Sequence, residues 1–146
     1  MKPTPLLALL LCALTAGAEA EIVSMEKKYR IRGDMELDMR VDGGKVEILR
    51  SEDNDCHILI EYDRERCRAD VNLDEDTDVL ELFVDHDNWA MTKKSVDDKS
   101  KYARIRISLP PKPDLALNLE MKAGELDMKV GDLHIKSFEL RSYAGK

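Results

Sequence analysis

Polar and apolar residues alternate along most of this chain, the period of two expected for strands with one buried face. The clearest run lies in the last third: Ala103, Ile105, Ile107 and Leu109, then Leu115, Leu117, Leu119 and Met121, then Leu126, Met128 and Val130. Earlier, Met35, Leu37, Met39 and Val41 predict a half-buried strand, with Val46 and Ile48 beginning a return strand. Cys56, Ile58, Ile60 and Tyr62 form the next, and Leu80, Leu82 and Val84 a clearer one. Two stretches are mixed. Tyr29 and Ile31 could start a strand within 21–32, and Cys67, Ala69, Val71 and Leu73 alternate behind Arg64-Glu65-Arg66, which could equally open a helical turn.

The breaks are as informative as the runs. Asp42-Gly43-Gly44 has the composition that hairpin turns need for positive φ. Asp85 to Lys101 is long, charged and aperiodic, and reads as an exposed loop. Pro110-Pro111-Lys112-Pro113 ends the strand before it, because proline cannot donate to a central ladder. Beyond it, Lys122-Ala123-Gly124-Glu125 and Tyr143-Ala144-Gly145-Lys146 read as one turn repeated, with short strands at 126–130, 133–135 and 138–140 between them. The pattern predicts an all-β chain: short antiparallel strands and loops over 21–109, leading into a β-solenoid-like stack over 114–146. About three repeats are usually needed to bury a stacked face. One complete repeat and the first turn of a second are visible. Either the repeats are cut short at Lys146 or a partner covers the last strands. A bare terminal edge also predicts self-association.

Residues 1–20 change the compartment. Lys2, the apolar run Leu6–Leu14 and the small-x-small site Ala18-Glu19-Ala20 have the three-part grammar of a secretory signal peptide, with Glu21 as the mature N-terminus. The apolar run is too short for a bilayer core of roughly 30 Å. Cys12 follows Leu11, where a lipoprotein signal would want a small residue. No second apolar segment follows, so no membrane span is expected in the mature chain. The predicted location is the periplasm or the extracellular space. The net charge of −7 without a sustained basic stripe argues against nucleic acid as a partner. In an oxidising compartment, Cys56 and Cys67 suggest a disulfide. It would contribute about 3 kcal/mol on the chain-entropy model, provided the geometry allows it. The alternative is two buried thiols.

Candidate chemistry is thin. Asp74-Glu75-Asp76-Thr77-Asp78 opens like a calcium loop, but Val79 and Asp85 stand where Gly and Glu belong. His57, His86 and His134 are scattered, with no ligand spacing. Asp85-His86-Asp87 could hold a cation only if a charged loop were preorganised. No nucleophile elbow or phosphate-binding loop is present. Trp89 is the only tryptophan, so aromatic platforms for sugar are sparse. No catalytic, cofactor or metal residue is assigned.

Residues 36–62, ELDMRVDGGKVEILRSEDNDCHILIEY, resemble the strand, Gly turn, strand and acidic turn of bacterial adhesin-like domains of the toast-rack type. The stretch 103–137 is similar to their defining part, with Leu109-Pro110, Gly124-Glu125 and Gly131-Asp132 at the matching positions. The resemblance implies a toast-rack-like β-solenoid, export, no known enzymatic activity and more rungs than are seen here. The expected function is therefore a non-enzymatic structural or interaction module of the bacterial envelope or surface, meeting a protein or surface polymer. One alternative is an envelope-stress sensing component that binds a specific protein. Another is a carbohydrate-active enzyme on a β-helix.

Overall fold

The structure, a computed structural model, describes residues 21–86 and 103–143. The signal-peptide reading at 1–20 and the loop residues 87–102, Trp89 among them, lie outside the described residues. Ten strands are formed: β1 (Ile22–Arg30), β2 (Met35–Val41), β3 (Lys45–Arg50), β4 (Asp55–Asp63), β5 (Cys67–Asp74), β6 (Val79–His86), β7 (Ala103–Leu109), β8 (Asp114–Met121), β9 (Glu125–Lys129) and β10 (His134–Ser142). The stretch behind Arg64 that could have opened a helical turn is a tight turn into β5. Sheet 1 has the order β1-β4-β7-β3-β9, and sheet 2 the order β10-β8-β2-β6-β5.

The alternation sorts side chains between the core and the outer faces. β2 buries Met35, Leu37, Met39 and Val41 and turns Glu36, Asp38 and Arg40 outward. Leu37, Ile48, Ile60, Leu80, Ile105 and Leu117 are fully buried between the sheets. Each such side chain contributes about 1.5–3 kcal/mol by leaving water. Because β2, β6, β8 and β10 are mutually parallel and in register, like inward residues lie side by side: Leu82, Met39, Leu119 and Leu140 form one such row.

The Gly turn after β2 is a corner between sheets, not the hairpin its composition suggests. β2 pairs with β6 and β8, while β3 pairs with β7 and β9. Gly44 has φ +137°, and a Cβ there would lie 2.5 Å from the Ala103 carbonyl oxygen. Gly124 makes the equivalent corner between β8 and β9 at φ +116°, and a Cβ there would overlap the Gly44 carbonyl oxygen. The Glu125 N–H donates to that same oxygen at 3.0 Å. Two corners are thus stacked so closely that only glycine fits either one. A hairpin and a corner need the same backbone freedom, so turn composition alone does not separate them.

The rungs β2–β3 and β8–β9 are therefore neighbours, although the prolines at 110–113 separate them in sequence. The parallel stack begins at β2, well before Pro113. The proline segment carries the chain from β7 past the β2–β3 rung to the start of β8. Its three prolines carry no N–H, so on that crossing only the Lys112 N–H is left to satisfy. The antiparallel pairs are β1 with β4, β4 with β7, and β5 with β6. The two short strands expected at 133–135 and 138–140 are one strand, β10, with a bulge between Ile135 and Ser137.

Cys56 and Cys67 are buried thiols, not a disulfide. Cys56 pairs with Tyr29 in β1. Tyr29 lines a cleft with Leu73, at the far end of β5 from Cys67. The six-residue step from Cys67 to Leu73 is about 20 Å of strand, whereas a disulfide needs Cα atoms within about 7 Å.

The sheets are offset by one strand. β1 extends sheet 1 one position beyond the β4–β5 rung, and β10 extends sheet 2 one position beyond the β8–β9 rung.

Candidate interaction surfaces

The outer face of sheet 2 is built from the polar half of each alternating strand. Register places Asn72, Glu81, Asp38, Asn118 and Glu139 in one row across all five strands. The next row is Asp74, Val79, Glu36, Ala116 and Ser137. Neither row contains a cation. Glu81 and Asp38 are direct neighbours, and like charges directly opposite destabilise a sheet. One local relief is the Asn118 side-chain amide, which donates to Glu36 Oε1. On the other side of the cation-free rows, Arg40 stacks on Phe83 with its guanidinium 5.8 Å from the ring centroid and reaches Glu120 at 3.7 Å. Together Asp38, Arg40, Asn118, Glu120, Glu139 and Arg141 line a shallow groove over β2, β8 and β10.

Sheet 1 differs. Its rows mix signs: Glu26, Leu59, Arg106, Glu47 and Asp127 in one, Ser24, Glu61, Arg104, Lys45 and Glu125 in the next. Arg106 Nε donates to Glu47 Oε1 at 2.9 Å, so a carboxylate here is met by a cation of its own row. Arg104 and Arg106, both on β7, belong to this mixed-charge face.

At the corners, Asp42 ties neighbouring rungs together. Its carboxylate accepts the His86 backbone N–H at 2.8 Å and meets Lys122 Nζ at 3.1 Å. That contact, first as a hydrogen bond and then by charge, raises the Lys122 ammonium above its usual pKa. His86 is buried while Asp85 is exposed beside Arg68, at 3.6 Å. Successive strand residues face opposite ways, so Asp85 and His86 do not converge on one cation. Asp74 to Asp78 form the β5–β6 turn. Asp74 Oδ1 accepts the Asp76 N–H at 3.0 Å, and Asp78, at φ +55°, accepts the Glu36 N–H through its carbonyl at 3.0 Å. Among the described residues, no three His, Cys, Asp or Glu side chains are grouped to hold a metal ion.

Ser51, Asp53 and His57 do come together. Asp53 Oδ1 accepts the Ser51 hydroxyl at 2.7 Å and the Asp55 N–H at 2.9 Å, and His57 Nε2 lies 2.8 Å from it. These bonds, the Ser51 hydroxyl first, hold the Asp53 carboxyl well below the usual carboxylate range. Serine and imidazole both address the carboxylate and not each other. The arrangement fastens a turn and lacks the serine–imidazole contact that activates a nucleophile. His134 is exposed on β10, away from the other two histidines. Periodicity could not reveal the cation-free rows, because members such as Asp38 and Glu139 are distant in sequence and meet only through register.

Among the described residues, no helix is long and apolar enough to cross a membrane. No curated protein matches the chain by sequence. A solved structure of a candidate cell adhesion protein from Clostridium sporogenes is similar in fold, with TM-score 0.62 at 15% identity over 84% of this chain and 59% of that one. A candidate adhesin from Bacteroides fragilis aligns at TM-score 0.41 and 16% identity, over 84% of this chain and 60% of that one. The chain thus spans about three-fifths of the length of these structures. The family model described as the N-terminal domain of toast_rack, DUF2154, matches residues 17–146, and the chain belongs to that family.

Proposed function

We propose that this chain is a non-enzymatic, adhesin-like interaction module of an exported envelope or surface protein. The observation that carries the reading is the pair of rows on sheet 2 that hold carboxylates and amides but no cation. Neighbouring carboxylates cost stability on a free sheet. A partner that brings cations and hydrogen-bond donors, a basic protein or an amine-bearing surface polymer, relieves that cost. A rigid two-sheet stack suits the role, since its outer side chains are held in fixed register. Family membership, the fold shared with the Clostridium sporogenes protein and the signal grammar of residues 1–20 support the same reading. Export removes residues 1–20 and leaves Glu21 first.

The test is a titration of the purified chain onto polylysine-coated and dextran-coated sensor surfaces at physiological salt. Binding to the cationic surface is expected, weakened about tenfold by Asp38→Asn with Glu81→Gln. Equal retention on both surfaces, or binding indifferent to the double variant, overturns the reading.

A further inference from the structure

The two ends of the strands carry different connections. At the end marked by the Gly44 and Gly124 corners, Ile22 pairs with Asp63, Cys67 with His86 and Tyr62 with Ala103, and Ser142 is level with Met121. Every segment outside the described residues joins the stack at this end. The opposite end holds the links β1–β2, β3–β4, β5–β6, β7–β8 and β9–β10, all of them described. A cleft between two of these links has described chain on both walls.

Such a cleft, of about 430 Å³, opens between the β1–β2 link and the β5–β6 turn. Topology makes it. β1 is the edge of sheet 1 and β2 the centre of sheet 2, so the link at 31–34 crosses the ends of β5 and β6. Ile31 anchors the link in the core. Where the link reaches β2, the Glu36 N–H donates to the Asp78 carbonyl at 3.0 Å. The facing turn is fastened by the Asp76 N–H, which donates to Asp74 Oδ1 at 3.0 Å.

The walls have opposite sign. Arg30 and Arg32 stand on the link side, and Glu75, Asp76 and Asp78 on the turn side. Half-buried Tyr29 and Leu73, both packed against the core, form the base. Lys28, the third cation, is already met by Asp55 at 3.5 Å. Among the described residues, no ion pair or side-chain hydrogen bond crosses from one wall to the other. A lone anion in this gap is repelled by the carboxylates, and a lone cation by the guanidiniums. A molecule with a carboxylate at one end and an ammonium at the other satisfies both walls. Its carboxylate suits the planar fork of an arginine, and its ammonium suits the acidic turn. We propose that this cleft binds a small zwitterion of the amino-acid and short-peptide class. Its residues are separate from Asp38 and Glu81, so the site stands or falls apart from the binding proposed for the outer face of sheet 2.

Calorimetric titration of the purified chain at low salt tests it, with alanyl-leucine, its N-acetyl form, its C-terminal amide and free leucine as probes. A dissociation constant of about 1 mM or below is expected for the dipeptide or for leucine. Each blocked form binds at least about tenfold more weakly. Arg30→Gln with Arg32→Gln abolishes discrimination between the dipeptide and its amide. Glu75→Gln with Asp76→Asn abolishes discrimination between the dipeptide and its N-acetyl form. All four positions are exposed, so circular dichroism stays unchanged in both variants. No binding up to about 10 mM, equal binding of the blocked forms, or variants that keep both discriminations overturns the proposal.

Discussion

The two sides of the described stack are built in opposite ways. At one side β1, β4 and β5 reverse direction against their neighbours. The outermost strands there are polar: β1 carries Glu26-Lys27-Lys28, and β5 presents Arg68, Asp70, Asn72 and Asp74. Charge on an edge strand discourages further pairing. Half-buried Val23, Met25 and Tyr29 alternate along β1, and Met25 and Tyr29 pack against the core from that side. At the other side β9 and β10 continue the parallel pattern of β3 and β2 without change. Their inward positions are still apolar, but Phe138 and Leu140 are about half exposed among the described residues. A parallel rung presents the same edge to the next one, whereas a reversed, charged strand discourages further pairing.

The largest effect is expected at the Gly124 corner between β8 and β9. Gly124→Ala places a Cβ against the Gly44 carbonyl in a backbone region that side chains rarely adopt. The expected cost is about 3 kcal/mol or more, read as a lowered urea midpoint. Gly33→Ala is the control, since its nearest neighbour is Asp78 Oδ2 at 3.9 Å. If both variants matched the parent, the corners would not be stacked.

A smaller contrast lies within one inward row. Leu117 and Phe138 are register neighbours, the first fully buried and the second 46% exposed. Leu117→Ala is expected to cost about 2–5 kcal/mol. Phe138→Ala is expected to cost under about 1 kcal/mol in dilute solution, where the side chain has little to lose. Equal costs would mean that Phe138 is covered as fully as Leu117 in solution.

These variants also show what could be read beforehand. Burial was legible: Leu37, Ile105, Leu115 and Leu117 alternate, and all are core. Topology was not, because period two states which face is buried and is silent on which strand is the neighbour. Asp42-Gly43-Gly44 is the clearest case. Val41 to Ile48 matches Met121 to Met128 position for position in its small-Gly corner and its alternating flanks. The repeat was read only downstream, in Tyr143-Ala144-Gly145-Lys146, whose last three residues lie outside the described ones, while the earlier copy at Val41–Ile48 was hidden by the strands inserted between them. The cysteine pair failed for a related reason. Proximity in sequence said nothing of Cys56 and Cys67 lying at opposite ends of a rung. The surface rows were unreadable until register was known.

Cys56 probes the terminated end. Burial pushes its thiol up to about 12 from 9.0. A raised thiol pKa means that the folded state keeps a proton the unfolded state gives up. The associated stability is complete below about pH 9 and is lost as pH climbs toward 12. Cys56→Ser removes that alkaline sensitivity, and iodoacetamide should reach Cys56 only after unfolding. Labelling of Cys56 in the folded chain at pH 8 would show that the antiparallel end opens.

The smallest expected effect sits at the joint between the two regimes. The β3–β4 link leaves the parallel stack and enters the antiparallel end, and Asp53 holds it through Ser51, Asp55 and His57. The Asp53 carboxyl is depressed from 3.8, mainly by the Ser51 hydrogen bond. A depressed carboxylate stabilises the fold above its unfolded pKa and loses that contribution as pH falls below it. Asp53→Asn should therefore lower the thermal midpoint slightly at pH 7, by an amount that holds down to about pH 4 and then narrows in more acid solution. The group is solvent-exposed and screened, so the shift is small. A gap that widened on acidification would mean that Asp53 is strained by its neighbours, and that the joint is held by Ser51 and the Leu109 carbonyl, which accepts the Ser51 N–H at 2.8 Å, without help from the carboxylate.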